Sequence, residues 1–106
     1  MTVERRRTAR VVPDAADPLA RMRLRTGPEL SVLNIGPLGA LVEGSARLLP
    51  GASIEVHVAT PAGRVLVRTR VVRSAVSALE SHLVRYRSGL AFDAAIDLRP
   101  RYALSA

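Results

Sequence analysis

The residues best equipped for chemistry fall in two short stretches. Arg5, Arg6 and Arg7 stand side by side near the N-terminus, and Arg10 follows. Asn34-Ile35-Gly36-Pro37-Leu38-Gly39 comes about a strand and a turn further on. A guanidinium is a planar fork of donors. It meets a phosphate, or the O6/N7 edge of a guanine, with paired hydrogen bonds that an ammonium cannot match. The Asn34 carboxamide both donates and accepts. Gly36 and Gly39 allow close backbone approach and positive φ, and Pro37 stiffens the turn between them. The set suits a planar, polar, anionic ligand. Each stretch also has a plainer reading, a solvated basic tail and an ordinary turn, so the elements that position them carry the decision.

Composition narrows the field. A chain of 106 residues and 11.4 kDa fits one domain, and 48% hydrophobic residues supply a core for it. There is no cysteine, which excludes disulfides, thiol catalysis and cysteine-based zinc sites. His57 and His82 are far apart and have no obvious ligand partners. Aromatics are only 3%, too few for an extended base-stacking platform. The net charge is +7 and every one of the 16 basic residues is arginine. Without lysine there is neither a Walker-type phosphate lysine nor Schiff-base chemistry, while the positive balance favours an anionic partner. No catalytic Ser/His/Asp set and no metal-ligand spacing stands out, so the chain reads as a non-enzyme without a resident cofactor. No apolar run approaches the roughly 20 residues of a membrane span, which points to no membrane insertion. The basic start is followed by Pro13, Asp14 and Asp17 rather than by an apolar export segment, so the expected location is the cytoplasm.

The elements read as strands. Residues 1–19 form a polar, extended arm in which Pro13 and Pro18 oppose helix. Residues 20–93 form the body. Arg21-Met22-Arg23-Leu24-Arg25 alternates as a half-buried strand does, and Thr26–Glu29 turns the chain. Leu30–Ile35 and Gly39–Glu43 are strands separated by Gly36-Pro37, and Leu49-Pro50-Gly51 is a further turn. Ser53–Thr60 places Ile54, Val56 and Val58 on one face with His57 on the exposed one; Pro61-Ala62-Gly63 is a hairpin turn. In Val65–Val76, Val65, Val67, Thr69 and Val71 share a face and Arg68 and Arg70 take the wet one. Leu79–His82 reads as a loop or one helical turn. Val84–Phe92 is the last strand, with Tyr86 on its apolar face. Residues 94–106 are a short tail, and Asp93 and Asp97 read as part of a disordered end. Short strands, regular turns and no long period of 3.6 predict an all-β fold, a small antiparallel barrel.

With the order of features in place, the chain resembles the PilZ domain family. Arg6-x-x-x-Arg10 precedes a strand pair. Asn34-x-Gly36-x-x-Gly39 follows, and Ser88-Gly89-Leu90-Ala91-Phe92 closes the series. The family signature is an RxxxR segment followed by a [D/N]xSxxG segment, and the likeness runs from about Glu4 to Asp93. The resemblance implies a six-stranded β-barrel that binds cyclic di-GMP. It assigns Arg6 and Arg10 to the phosphates and guanines, Asn34 to a guanine edge and Gly39 to the close of the turn. Arg5 and Arg7 are auxiliary. The family's serine falls on Gly36, so one hydroxyl contact is missing.

Three functional readings stay open at this point. The first is a cyclic di-GMP receptor whose arm orders on the ligand and signals to an unidentified downstream protein. The second is a PilZ-like interaction adaptor that has lost the nucleotide. The third is a small basic barrel that holds nucleic acid through its phosphates, which scarce aromatics and the absence of lysine disfavour.

Overall fold

A computed structural model describes residues 10–99. Six antiparallel strands close into one barrel: β1 (Arg21–Leu24), β2 (Glu29–Gly36), β3 (Gly39–Gly44), β4 (Ser53–Thr60), β5 (Gly63–Glu80) and β6 (Leu83–Phe92). Their order around the barrel is β1-β2-β3-β6-β5-β4, and β1 meets β4 through Met22↔Val58, Arg23↔His57 and Leu24↔Val56. The all-β barrel expected from the alternation is the fold.

The core follows from that alternation. Met22 and Leu24 of β1, Leu30 and Val32 of β2, Val56 and Val58 of β4, and Val67 and Val71 of β5 are buried with Leu90 and Phe92 of β6. Each such side chain contributes about 1.5–3 kcal/mol through removal from water. Thr69, wholly buried on the same face of β5, keeps its hydroxyl satisfied by donating to the Val67 carbonyl at 3.2 Å.

Several expectations change. Pro18 does not oppose helix: it opens a 3₁₀ turn, Pro18–Ala20, where its missing N–H costs nothing, and Asp17 caps the turn by accepting from the Leu19 N–H at 2.9 Å. Leu19 is thereby delivered into the core, so the last part of the arm belongs to the folded body. Leu79–His82 is neither loop nor helix. β5 runs on to Glu80, Ser81-His82 is a two-residue turn, and β6 begins at Leu83. The tail is packed as far as it is described. Ile96 donates its N–H to the Pro37 carbonyl at 2.9 Å, and Ile96 and Leu98 lie against the core. Asp97 pairs with Arg99 at 3.0 Å. Tyr86 and His57 are both half-buried, neither a full core residue nor a free surface one.

On the outer face, Glu43 of β3 holds Arg87 at 3.2 Å and Arg85 at 3.5 Å, both on β6. The Ser77 hydroxyl of β5, which can turn from the Arg85 carbonyl to this carboxylate, is the largest influence on it. Together with Arg87 and Arg85 it outweighs burial and holds the Glu43 carboxyl below its ordinary value. A depressed carboxylate stabilises the fold above its unfolded pKa, and that contribution is lost as pH falls through the folded one. Urea midpoints measured from pH 7 downward are therefore expected to fall below about pH 4.5 in the parent, and Glu43→Gln is expected to flatten that fall.

Candidate ligand-binding site

The site starts from an irregularity in β2. Leu30 and Val32 point inward, and strict alternation would send Asn34 inward as well. The β2–β3 register instead runs Val32↔Val42 and then Asn34↔Leu41, with Leu33 as the extra residue of a β-bulge. The bulge reverses the phase, so Ile35 takes the core position and the Asn34 carboxamide is turned to the outer face.

The arm meets this face by pairing with β2. Val11 donates to the Ile35 carbonyl at 2.8 Å and accepts from the Ile35 N–H at 2.9 Å, an antiparallel bridge. Continued by one residue, that register sets Arg10 opposite Gly36. A side chain two positions along the facing strand is within reach of a long residue, and the Arg10 guanidinium donates through Nη1 to Asn34 Oδ1 at 3.0 Å.

Beneath the guanidinium lie two glycines. Gly36 and Gly39 are paired across the β2–β3 hairpin, whose turn is Pro37-Leu38. A Cβ built on Gly39 would stand 3.2 Å from Arg10 Nη2 and 2.2 Å from the Leu90 carbonyl oxygen of β6. Gly39 is thus required by close approach. The expectation of positive φ at Gly36 and Gly39 is not met: among the described residues positive φ belongs to Gly51 and Gly63, both at turns. The role of Gly39 is to leave room for Arg10 and for β6.

The same outer face continues across the sheet. Leu41 is opposite Gly89, and Gly39 is opposite Ala91. On β5, Arg73 is opposite Gly89 and Arg70 opposite Ala91. A Cβ on Gly89 would touch the Arg73 stem, with Cγ at 3.3 Å. The structure thus brings Arg10, Asn34, Gly36 and Gly39 together on one small-residue surface. Arg5, Arg6 and Arg7 lie outside the described residues.

Sequence reasoning missed the anchor and the neighbours of this surface. Val11 was read as arm, although an apolar Val11-Val12 pair inside a polar segment was the available signal. Arg70 and Arg73 cannot be assigned to the face without the β5–β6 register. A separate polar cavity of about 490 Å³ lies on the β1–β4 side, lined by Arg21, Arg23, Arg64 and His57 among others. It contains neither Arg10 nor Asn34 and is a different surface. Among the described residues no group of His, Asp and Glu could hold a metal ion, and no helix is long and apolar enough to cross a membrane. Compared with protein-family models, curated proteins and solved structures, the chain matches none.

Proposed function

We propose that this chain is a PilZ-like module that receives cyclic di-GMP on the outer face of its barrel and passes the signal to a partner protein. The observation that carries the reading is the meeting of Arg10 with Asn34 above Gly39. Arg10 is 24 residues from Asn34 and further still from Gly39, and both segments of the resembled motif contribute to one surface.

Arg10 is exposed and spends one guanidinium N–H on Asn34. Its remaining donors are free to take a phosphodiester oxygen or the O6/N7 edge of a guanine. The half-buried Asn34 amide keeps its NH2 group for the same edge, and its oxygen holds Arg10 in place before the ligand arrives. That preorganisation reduces the ordering cost of binding. Arg6, with Arg5 and Arg7 beside it, supplies the second clamp from the arm. Ligand held between the arm and the barrel ties residues upstream of Val11 to β2, and the altered arm is what the partner reads.

A ligand that binds only the folded state raises the melting temperature by mass action. Cyclic di-GMP at about a hundred times its Kd is expected to add about 2.7 kcal/mol, or roughly 10–20 °C for a domain of this size. No shift at ligand concentrations of about 1 mM defeats the proposal.

One observation favours the adaptor reading instead. Gly36 occupies the position where the resembled pattern has a serine, and it stands opposite Arg10 with no hydroxyl to offer. One missing polar contact is worth about 0.5–1.5 kcal/mol, up to about tenfold in affinity. Gly36→Ser is therefore expected to tighten cyclic di-GMP binding by up to about tenfold in a calorimetric titration. Unchanged or weaker binding would show that the position makes no ligand contact.

A further inference from the structure

The barrel is closed except where β5 and β6 run past it. β4 leaves β5 at Ser53↔Arg70, and the last contacts on that edge are the Val71 bonds to Gly51 and Ala52. β3 leaves β6 at Gly44↔Tyr86. From Val72 on, β5 pairs with β6 alone among the described residues, and from Ala78↔Arg85 to Glu80↔Leu83 the two strands pair only with each other. The hairpin thus presents a free backbone edge, Val72–Glu80. It carries apolar side chains in water: Val72 is 55% exposed, Val76 54% and Leu79 77%. A long, apolar, unpaired edge is a template for another strand.

We infer that this edge pairs with the same edge of a second copy of the chain, antiparallel about a two-fold axis. Charge and face complementarity favour a second copy as the partner. Although the chain carries +7, the segment 72–80 holds one arginine, Arg73, and one glutamate, Glu80, near its two ends. Seven positions apart on a regular strand, they would point to opposite faces. The bulge at Ser77, between Val76↔Tyr86 and Ala78↔Arg85, removes that mismatch. Arg73 is opposite Gly89 and Glu80 opposite Leu83, positions an even number apart on β6, so both side chains are on the outer face.

A single antiparallel register then matches residues 73–80. Arg73 faces the second copy's Glu80, and Glu80 its Arg73. Ser74 faces Leu79, and Ala75 faces Ala78, each pair on a common face. Val76 and the bulged Ser77 of both copies meet at the axis, so the two kinks coincide. The interface is isologous, as a two-fold dimer requires. In one chain neither charge is spent: the Arg73 stem rests over Gly89, and neither Arg73 nor Glu80 has an ion-pair partner among the described residues. The dimer joins two hairpins into a four-stranded sheet whose inner face carries Val76, Leu79, Val84 and Tyr86 from each copy.

Sedimentation equilibrium of the full chain over a concentration series tests this. The parent is expected to show a monomer–dimer equilibrium. Arg73→Glu and Glu80→Arg each set like charges opposite one another at two symmetric places, and each is expected to weaken the dimer by about tenfold. The double variant Arg73→Glu/Glu80→Arg restores opposite charges and is expected to return to within about threefold of the parent. Circular dichroism of each variant establishes that the barrel is intact; both positions are exposed, so it is expected to be. A parent that stays monomeric up to about 1 mM overturns the inference. So does a dimer indifferent to the single reversals, or one the double variant fails to restore.

Discussion

Gly39→Ala is expected to lower the melting temperature of the ligand-free protein by roughly 4–24 °C. The new Cβ would stand 2.2 Å from the Leu90 carbonyl oxygen, a backbone atom that no side-chain rotation can move aside. Relief requires β3 and β6 to separate where Gly39 is paired with Ala91 and Ala40 with Leu90. Overpacking of this kind costs about 1–3 kcal/mol, and 1 kcal/mol shifts a 60–100-residue domain by about 4–8 °C. A useful contrast is Gly27→Ala, where a Cβ meets nothing within 4 Å, and the same experiment is expected to show little change. Equal melting temperatures for Gly39→Ala and Gly27→Ala would mean that Gly39 is not pinned against β6. The proposed ligand surface would then lack the close β3–β6 packing beneath Arg10.

Arg10→Ala carries the second large effect, and it falls on binding rather than folding. In the free protein the Arg10–Asn34 hydrogen bond is exposed, so its loss is expected to cost about 1 kcal/mol or less. In the proposed complex Arg10 would make a charge-assisted hydrogen bond to phosphate or guanine, worth about 1.5–3 kcal/mol, so affinity for cyclic di-GMP is expected to drop about ten- to hundredfold. Asn34→Ala is expected to lose part of the same affinity through a different route, because it removes both the proposed guanine contact and the oxygen that holds Arg10. The two positions touch, so their effects are expected to be less than additive in a double-mutant cycle. Full additivity would indicate that Asn34 does not position Arg10.

The strands of the body were legible because their residues alternate. Met22 and Leu24 against Arg21 and Arg23, or Val56 and Val58 against Glu55 and His57, admit one reading of which face is wet, and β1 and β4 are found where that reading puts them. The barrel could be expected for the same reason. What alternation conceals is a change of phase. Asn34 shares parity with Leu30 and Val32, and only the extra residue at Leu33 turns it outward. Nothing in Val-Leu-Asn-Ile announces that bulge. The hairpin tip hid itself in a similar way. Ser77 interrupts the period of β5 just before Leu79–His82, so the segment reads as irregular although Leu79 and Glu80 are paired with β6 up to the Ser81-His82 turn.

The candidate site was legible in its members and not in its arrangement. Arginine spacing and the Asn34–Gly39 turn identified Arg10, Asn34, Gly36 and Gly39. Their meeting depends on the Val11–Ile35 bridge, which joins the arm to β2 by backbone bonds that no side-chain pattern encodes. Gly39 was expected to serve through close backbone approach and positive φ, and it serves through close approach alone. Both roles demand glycine, so residue type alone cannot separate them.

The most direct test of the account is an isothermal titration of the full chain with cyclic di-GMP, with GTP as the control for general attraction of anions to a chain of charge +7. The account predicts saturable binding of cyclic di-GMP, binding of GTP weaker by about tenfold or more, and loss of the cyclic di-GMP signal in Arg10→Ala. An absence of binding up to about 1 mM, or equal affinity for both nucleotides, would contradict it.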